Sequence, residues 1–271
     1  MSVVAKGTDQ ILKGNLMIAC YLDDSSDLKR ERALCAAGFL QRTRDWLDFN
    51  HKWNQQLKRF GIAYFKASEC ISLTGEFAKF RANAKLISSD DRKTASEIRS
   101  LLIDTIIEAH LEGVAVSILL ADFWELQKED ARARKIFSSD PMFIAYQGVM
   151  FESAKRMAVT FPTERVAFVC DSQDRAAFAE ACYRAFTEKN PMTARFMGSI
   201  DHADDKAIPA LQAADLLASE ARLQIEAWRR NEEEFSGMKK LKDSGSIQFA
   251  AYWDKAYMAS VLDASDPSSR H

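Results

Sequence analysis

The chain has 271 residues, of which 47% are apolar and 28% are charged, as expected for a globular protein with one large domain or one domain with additions. The 37 Lys and Arg residues nearly balance the 39 Asp and Glu residues, so the formal net charge is -2. This balance excludes a global basic field that would attract nucleic acid, and such a partner must be held by local patches or through metal ions.

The cysteines and the amino terminus bear on the cellular compartment. The chain has five cysteines, an odd number without C-x-x-C spacing, which favours reduced core thiols over a disulfide frame or a zinc ribbon. Residues 1–15 lack the apolar segment of a signal peptide, and no stretch approaches the roughly 18 apolar residues of a membrane-spanning helix. We therefore expect a soluble, cytoplasmic protein without a membrane partner.

An unbroken apolar run from Leu16 to Leu22 stops abruptly at Asp23, Asp24 and, after two serines, Asp27. Such a run predicts a buried central strand, and ligands of open α/β sheets bind outside the carboxyl ends of such strands. Successive strand side chains point to opposite faces, so Asp23 and Asp24 cannot easily face the same site. We favour Asp23 as the functional acid.

The next segments predict a hairpin, a helix and a third strand. Residues 33–40 predict a second strand beside the first, and the aromatic spacing from Trp46 to Phe60 predicts a helix that Gly61 ends. Residues 62–67 predict a third strand, and Glu69 follows its end as Asp23 follows the end of the first. Glu69 is therefore a further candidate for the site.

A long amphipathic helix is predicted up to Gly113, then a fourth strand over residues 114–120 and a helix over residues 142–159. Residues 165–170 repeat the pattern of the first strand, since they predict a buried strand followed at once by Asp171. Asp is also among the best helix N-caps, and a helix is predicted from about Asp174. Asp171 is therefore either a site residue or a cap.

The third candidate acid, Asp215, lies well inside a helix that begins near Pro209. Its sequence neighbours are apolar or small, and a buried ionised carboxylate without a partner costs several kcal/mol or more. Either a salt bridge to a core arginine or a metal ion shared with other carboxylates would compensate this cost. Gln212 and Ser219 lie on the same helical face and are positioned to support Asp215.

An acid after the first central strand, a second after a later strand and a third on a late helix form the arrangement that ribonuclease H-like nucleases use. The sequence also resembles the bacterial family called domain of unknown function 3800, whose members open on a strand ending in Asp-Glu-Ser-Gly and close with a Leu-Gln-x-Ala-Asp helix. Residues 23–26 read Asp-Asp-Ser-Ser and residues 211–215 read Leu-Gln-Ala-Ala-Asp. The resemblance covers about residues 17–218 and implies a ribonuclease H-like fold and an acidic site.

We therefore predict an α/β protein, with a ribonuclease H-like mixed sheet flanked by helices over residues 1–231. Residues 232–271 are predicted as a C-terminal helical extension packing on the same domain, in which Phe249, Trp253, Ala256 and Tyr257 form an apolar stripe. The predicted function is hydrolysis of DNA or RNA phosphodiester bonds, dependent on Mg²⁺ or Mn²⁺. Asp23, Asp171 and Asp215 would bind the metal, and Glu69 would be a weaker fourth catalytic candidate.

Phosphate contacts are predicted from basic residues near the first hairpin, namely Lys29, Arg30, Arg32, Arg42 and Arg44. Two other classes of function stay open. The first is a catalytically inactive ribonuclease H-like module that binds nucleic acid or protein. The second is a haloacid-dehalogenase-like phosphatase, which needs a second aspartate two residues after the first, where this chain has Ser25.

Overall fold

Six strands form one mixed sheet with the strand order β5-β4-β1-β2-β3-β6. The computed structural model describes residues 18–27, 29, 31–83, 87–171, 176–233 and 236–265. The strands are β1 (Ile18–Ser26), β2 (Ala33–Arg42), β3 (Glu112–Leu119), β4 (Val166–Asp171), β5 (Met197–Ala203) and β6 (Ile247–Trp253). β1, β2 and β3 form an antiparallel meander, whereas β4 pairs parallel with β1, β5 with β4, and β6 with β3. The predicted α/β class with a mixed sheet is confirmed, and the carboxyl ends of β1, β3, β4 and β5 share one edge of the sheet.

Helices cover both faces of this sheet. They are α1 (Thr43–Arg59), α2 (Ala67–Ser72), α3 (Ser89–Glu108), α4 (Leu120–Glu129), α5 (Ala131–Ile136), α6 (Pro141–Thr160), α7 (Ala176–Lys189), α8 (Pro191–Ala194), α9 (Pro209–Arg229), α10 (Ser236–Asp243) and α11 (Lys255–Ser265), with a 3-10 helix at Gly75–Phe80. α9 crosses β1, β2 and β3 on one face, and α6 packs on β2 and β3 on the other.

The central position of β1 follows from its sequence, because an apolar run without alternation has to be covered on both faces. Ala19 and Tyr21 lie in the hydrophobic cluster that includes α1 and α9. Cys20 and Leu22 lie in the opposite cluster with α6 and α7. The strand therefore presents alternate residues to two separate cores, and this alternation decides where the acids at its end point.

The aromatic stripe of α1 forms part of the first core. Trp46, Phe49, Trp53 and Leu57 are all buried, as their helical spacing predicts. The Trp46 ring stacks edge-on against Tyr21 with centroids 4.8 Å apart, and its Nε1–H donates a 3.2 Å hydrogen bond to the carbonyl of Ala19. These contacts hold α1 against the strand that ends in Asp23.

The predicted third strand at residues 62–67 is wrong. Residues 62–66 have irregular backbone, and α2 begins at Ala67. Their backbone donors bind side chains instead of a neighbouring strand: Ala63 N–H donates to Oε2 of Glu76 at 2.7 Å, and Phe65 N–H donates to Oε1 of Gln212 at 3.0 Å. Glu69 accordingly lies within a short helix and not after a strand.

The C-terminal extension is not purely helical. β6 adds a sixth strand to the sheet, parallel to β3, and α10 and α11 flank it. Phe249 and Trp253 pack against the cluster on one face, whereas Ala250 packs against the cluster on the other. The apolar residues of this segment have a strand period of two, and the helical interpretation of Phe249 and Trp253 is corrected.

All five cysteines are buried and none is in a disulfide. In the part of the chain that the structure describes, none of the helices combines the length and apolar character needed to cross a membrane.

Candidate functional site

Asp23 and Asp24, near the carboxyl end of β1, point to opposite faces of the sheet. Asp24 reaches the α6 face, where its Oδ1 accepts a 2.9 Å hydrogen bond from the hydroxyl of the buried Tyr146. Asp23 follows Tyr21 on the α9 face, and its Oδ1 accepts the backbone N–H of Asp24 at 2.7 Å. The alternation expected for this pair is present, and only Asp23 faces α9.

Asp171 ends β4, the parallel neighbour of β1. In the register of the two strands, Tyr21 is opposite Val169 and Leu22 is opposite Cys170. One further step along both strands sets Asp171 beside Asp23 on the same face. Their proximity is also electrostatic, because the charge of Asp171 is among those that raise the pKa of Asp23.

Asp215 enters the same region from α9. Its side chain is buried, and Oδ2 accepts a 2.7 Å hydrogen bond from the backbone N–H of Ala67 at the start of α2. Desolvation raises the pKa of Asp215 to about 7, with further increases from the charges of Asp205 and Asp24. The Ala67 hydrogen bond and the charge of Lys66 lower this pKa without cancelling the increase.

The pKa of the Asp23 carboxyl is also raised well above its usual range. Burial is the largest cause, and the charge of Asp215 is the next, followed by the charge of Asp24. Carboxylates that raise one another's pKa are close together without enough positive charge to balance them. Asp23, Asp171 and Asp215 are called the acid cluster below.

Two residues beside the acid cluster were not predicted from the sequence. Lys66 Nζ lies 2.7 Å from Oδ2 of the buried Asp205 and forms a salt bridge with it. The charges of Asp205, Asp215 and Asp23 all raise the pKa of Lys66, and the hydrogen bond to Asp205 is the largest of the effects that raise it. Lys66 is the cationic neighbour of Asp215, which pairs with no arginine among the described residues.

Gln212 supports this region, as its position one turn before Asp215 suggested. Its Oε1 accepts from Nε1 of Trp53 at 2.9 Å and from the backbone N–H of Phe65 at 3.0 Å. Its Nε2 donates to the carbonyl of Asp205 at 3.0 Å. A single amide therefore holds α1 and the segments carrying Lys66 and Asp205 against α9, which fixes the cation and its partner beside the acid cluster.

Glu69 lies on α2 and is engaged elsewhere. Its Oε1 accepts from the Tyr64 hydroxyl at 3.1 Å, and its Oε2 accepts from the backbone N–H of Glu76 at 2.9 Å. Gly75 has a φ of 50°, and a Cβ at that position would lie 2.0 Å from the Glu69 carboxylate. Through these contacts Glu69 stabilises the turn that leads into the 3-10 helix.

The predicted phosphate contacts near the first hairpin are divided between two ends of the sheet. Arg42 pairs in register with Ile18 at the opposite end of β1 from Asp23, where its guanidinium lies 5.1 Å from the centroid of the Phe161 ring. Arg44 follows it in α1 and pairs with Asp45. These two arginines are too distant to contact a phosphate at Asp23. Arg32 lies at the correct end, and Arg30 falls outside the described residues.

The donor set of the acid cluster consists of carboxylate oxygens, which suit hard cations such as Mg²⁺ and Mn²⁺. Within the described residues, however, no group of three or more His, Cys, Asp or Glu side chains stands in an arrangement that would hold a metal ion. The chemistry of the donors therefore fits a divalent cation, but the described side chains are not already arranged as a set of metal ligands.

No protein-family model matches the chain, and no curated protein matches it. Among solved structures, a chain of the PCNA:RNase HII complex from Archaeoglobus fulgidus is similar, with 14% sequence identity, a TM-score of 0.38, and coverage of 85% of this chain and 91% of that chain.

Proposed function

We propose that this protein is a divalent-metal-dependent nuclease that hydrolyses phosphodiester bonds of DNA or RNA. The observation that carries the proposal is the electrostatic coupling of Asp23 on β1 to Asp215 on α9, with Asp171 in the adjacent register position on β4. Burying several like charges together is unfavourable without a counter-charge. A cation bound by these oxygens would remove the penalty.

The residues that would hold Mg²⁺ or Mn²⁺ are Asp23, Asp171 and Asp215. Two such ions lower the pKa of a bound water and stabilise the leaving oxygen of a phosphodiester. The chain itself supplies the position of these carboxylates. Ala67 N–H fixes one oxygen of Asp215, and the peptide N–H of Asp24 fixes one oxygen of Asp23.

The finer fold assignment is part of the same proposal. A central strand ending in an acid, a neighbouring strand ending in another and a late helix carrying a third are the features used above to assign a ribonuclease H-like fold. They are all present here in β1, β4 and α9. Membership of the domain of unknown function 3800 family and a cytoplasmic location are proposed with it, on the motifs at residues 23–26 and 211–215 and on the free buried thiols.

The test is a cleavage assay with single- and double-stranded DNA and RNA in Mn²⁺, in Mg²⁺ and in EDTA. We expect cleavage of at least one substrate with metal and none in EDTA. Asp215→Asn should abolish turnover, whereas Asp48→Asn, the same change at an exposed position of α1, should leave it intact. Cleavage by Asp215→Asn at the unmodified rate would show that the activity belongs to another site or to a contaminant.

One observation favours the inactive binding module as the second candidate. The described side chains do not form a preassembled metal-ligand cage, as a module with a degraded site would also show. The two candidates differ in metal affinity, so Mn²⁺ that fails to bind by calorimetry would select the binding module. The phosphatase alternative has no supporting observation, since Ser25 accepts a hydrogen bond from Arg222 at the position where that class needs an acid.

A further inference from the structure

A small cavity lies at the far end of α9 from Asp215. It has a volume of about 230 Å³ and lies between the start of β2, the end of β3 and the last turn of α9. Leu119 and Ala121 form its apolar part, and the rest of its lining consists of the charged residues Glu31, Arg32, Glu226, Arg229 and Arg230. The cavity has room for one planar ring system but not for a drug-sized ligand, since drug-sized ligands occupy pockets of roughly 300 Å³ or more.

Each of the three arginines in the lining forms an ion pair with a carboxylate. Arg230 makes a bidentate pair with Glu232 at 2.6 and 2.7 Å, and Arg32 Nη1 lies 3.0 Å from Oε2 of the buried Glu226. Arg229 pairs with Asp122. A guanidinium paired through its edge keeps its flat face available for stacking, and the carboxylates offset its charge. The cavity is therefore suited to a neutral aromatic ring and poorly suited to a phosphate.

Two exposed tryptophans lie on the helices that carry Arg229 and Asp122, outside the lining of the cavity. Trp228 precedes Arg229 on α9 and is 52% exposed, and Trp124 is 44% exposed on α4, the helix whose Asp122 pairs with Arg229. Aromatic side chains and guanidinium planes are the surfaces on which unpaired bases stack. The guanidinium planes of the lining arginines therefore supply a stacking surface for a base.

The cavity also lies on the same edge of the sheet as the acid cluster. Leu119 is the last residue of β3, which runs parallel to β1, so it lies at the edge where Asp23 is found. Along α9, Glu226 is eleven residues beyond Asp215, a rise of about 16 Å at 1.5 Å per residue.

We infer that the cavity binds one unstacked nucleobase of a single-stranded nucleic acid, at a distance from the bond that the acid cluster cleaves. The inference rests on the proposed nuclease function for its choice of ligand. A single strand is required, because the bases of a duplex are stacked and cannot enter a cavity. The acid cluster then acts on the backbone, and recognition of the base occurs at Arg230, Leu119 and Ala121.

The test measures binding of the full chain in EDTA to a fluorescently labelled single-stranded oligonucleotide of twelve thymidines, by anisotropy. A twelve-unit strand without bases carries the same phosphates and isolates the contribution of the bases. We expect the strand with bases to bind at least about tenfold more tightly, the equivalent of about 1.4 kcal/mol and within the range of one stacked base.

Two variants locate this difference in the cavity. Ala121→Leu narrows the cavity without adding an aromatic ring, and Arg230→Lys keeps the charge but removes the flat guanidinium. Both should bind the two strands with nearly equal affinity. Arg184→Ala, an exposed arginine on α7 across the sheet, should keep the wild-type difference. Circular dichroism shows whether Ala121→Leu is folded, and Arg230→Lys decides the matter if it is not.

Equal binding of the two strands by the wild-type protein, or no binding of either, would overturn the inference. So would a base-dependent difference that persists in both Ala121→Leu and Arg230→Lys. Failure of the nuclease proposal would give a different result. A protein that binds bases through this cavity but cleaves nothing in Mn²⁺ would support the base site and refute the catalytic function.

Discussion

The backbone N–H of Ala67 donates a 2.7 Å hydrogen bond to Oδ2 of Asp215, across 148 residues of sequence. This bond joins the start of α2 to the middle of α9 and directs one carboxylate oxygen away from solvent. It lowers the pKa of Asp215, yet desolvation raises that pKa to about 7. Asp215 therefore carries an electrostatic cost in the metal-free protein that its hydrogen bond does not remove.

The first prediction concerns the pH dependence of stability in EDTA. A carboxyl with a raised folded-state pKa binds protons more readily when folded, so its stabilising effect is complete below its unfolded pKa near 4. That effect is lost as pH rises to about 7, the folded value for Asp215. Asp215→Asn keeps the shape without the charge. Its melting temperature should equal that of the wild type near pH 4 and exceed it increasingly up to pH 8.

Thermal unfolding of both proteins from pH 4 to pH 8 in EDTA measures this difference. The wild type must be compared with the variant because Asp27 affects stability in the opposite direction at low pH. Backbone hydrogen bonds outweigh the desolvation of Asp27 and lower its pKa. An Asp215→Asn protein that is less stable than the wild type at pH 8 would show that Asp215 is a stabilising ion-pair partner.

The second prediction concerns stabilisation by metal. Mn²⁺ at 100 times its dissociation constant should stabilise the wild-type protein by about 2.7 kcal/mol, provided that the unfolded chain does not bind it. Asp23→Asn should reduce this gain strongly, because the charges of Asp215, Asp24 and Asp171 all act on the Asp23 carboxyl and raise its pKa. Asp48→Asn should keep the full gain. Thermal unfolding across an Mn²⁺ titration measures all three proteins, and an undiminished gain in Asp23→Asn would refute metal binding at this cluster.

The third prediction concerns Lys66, which provides the positive charge beside the acid cluster. Lys66→Gln should lower stability in EDTA at neutral pH, because Asp205 is buried and loses its salt-bridge partner. The same change should tighten Mn²⁺ binding, since a competing cation is removed. Lys52→Gln, on the exposed face of α1, is the matched control. Calorimetric titration decides the point, and weaker Mn²⁺ binding by Lys66→Gln would mean that Lys66 positions the ligands.

The fourth prediction separates Glu69 from the acid cluster. Glu69→Ala removes the hydrogen bonds to the Tyr64 hydroxyl and the Glu76 N–H, and should cost about 1–3 kcal/mol of unfolding free energy. Because both oxygens of Glu69 are used in this turn, the increase in melting temperature with Mn²⁺ should stay at its wild-type value. Loss of the Mn²⁺ response would restore Glu69 to the metal site predicted from the sequence.

The fifth prediction concerns the C-terminal segment. A chain ending at residue 231 should not fold to a stable state, because it lacks β6, the parallel partner of β3. It also lacks Met238, whose backbone donates to the buried Glu220, a carboxylate that pairs with Arg99. Limited proteolysis and circular dichroism would show the loss, whereas a cooperative thermal transition in the truncated chain would show that residues 1–231 form an independent domain.

The sequence alone determined the positions of the acids. The uninterrupted apolar run before Asp23 predicted a central strand, and the period of two in a strand predicted that Asp23 and Asp24 face opposite sides. Asp215 was identified because a carboxylate inside an apolar helix, far from its N-terminus, needs compensation. Each of these inferences uses local spacing and the cost of burial, which are properties of a short segment.

Only the tertiary structure decided what surrounds these acids. Lys66 and Asp205 are 139 residues apart, and Phe65 and Gln212 are 147 residues apart, so no local pattern links them. The segment 62–66 has the composition of a strand but remains irregular, because Gln212 and Glu76 bind its backbone N–H groups. Residues 247–253 became a strand because β3 offered an open edge. Each of these outcomes depended on which hydrogen-bonding partners lie nearby in the folded chain. The local sequence does not encode that information.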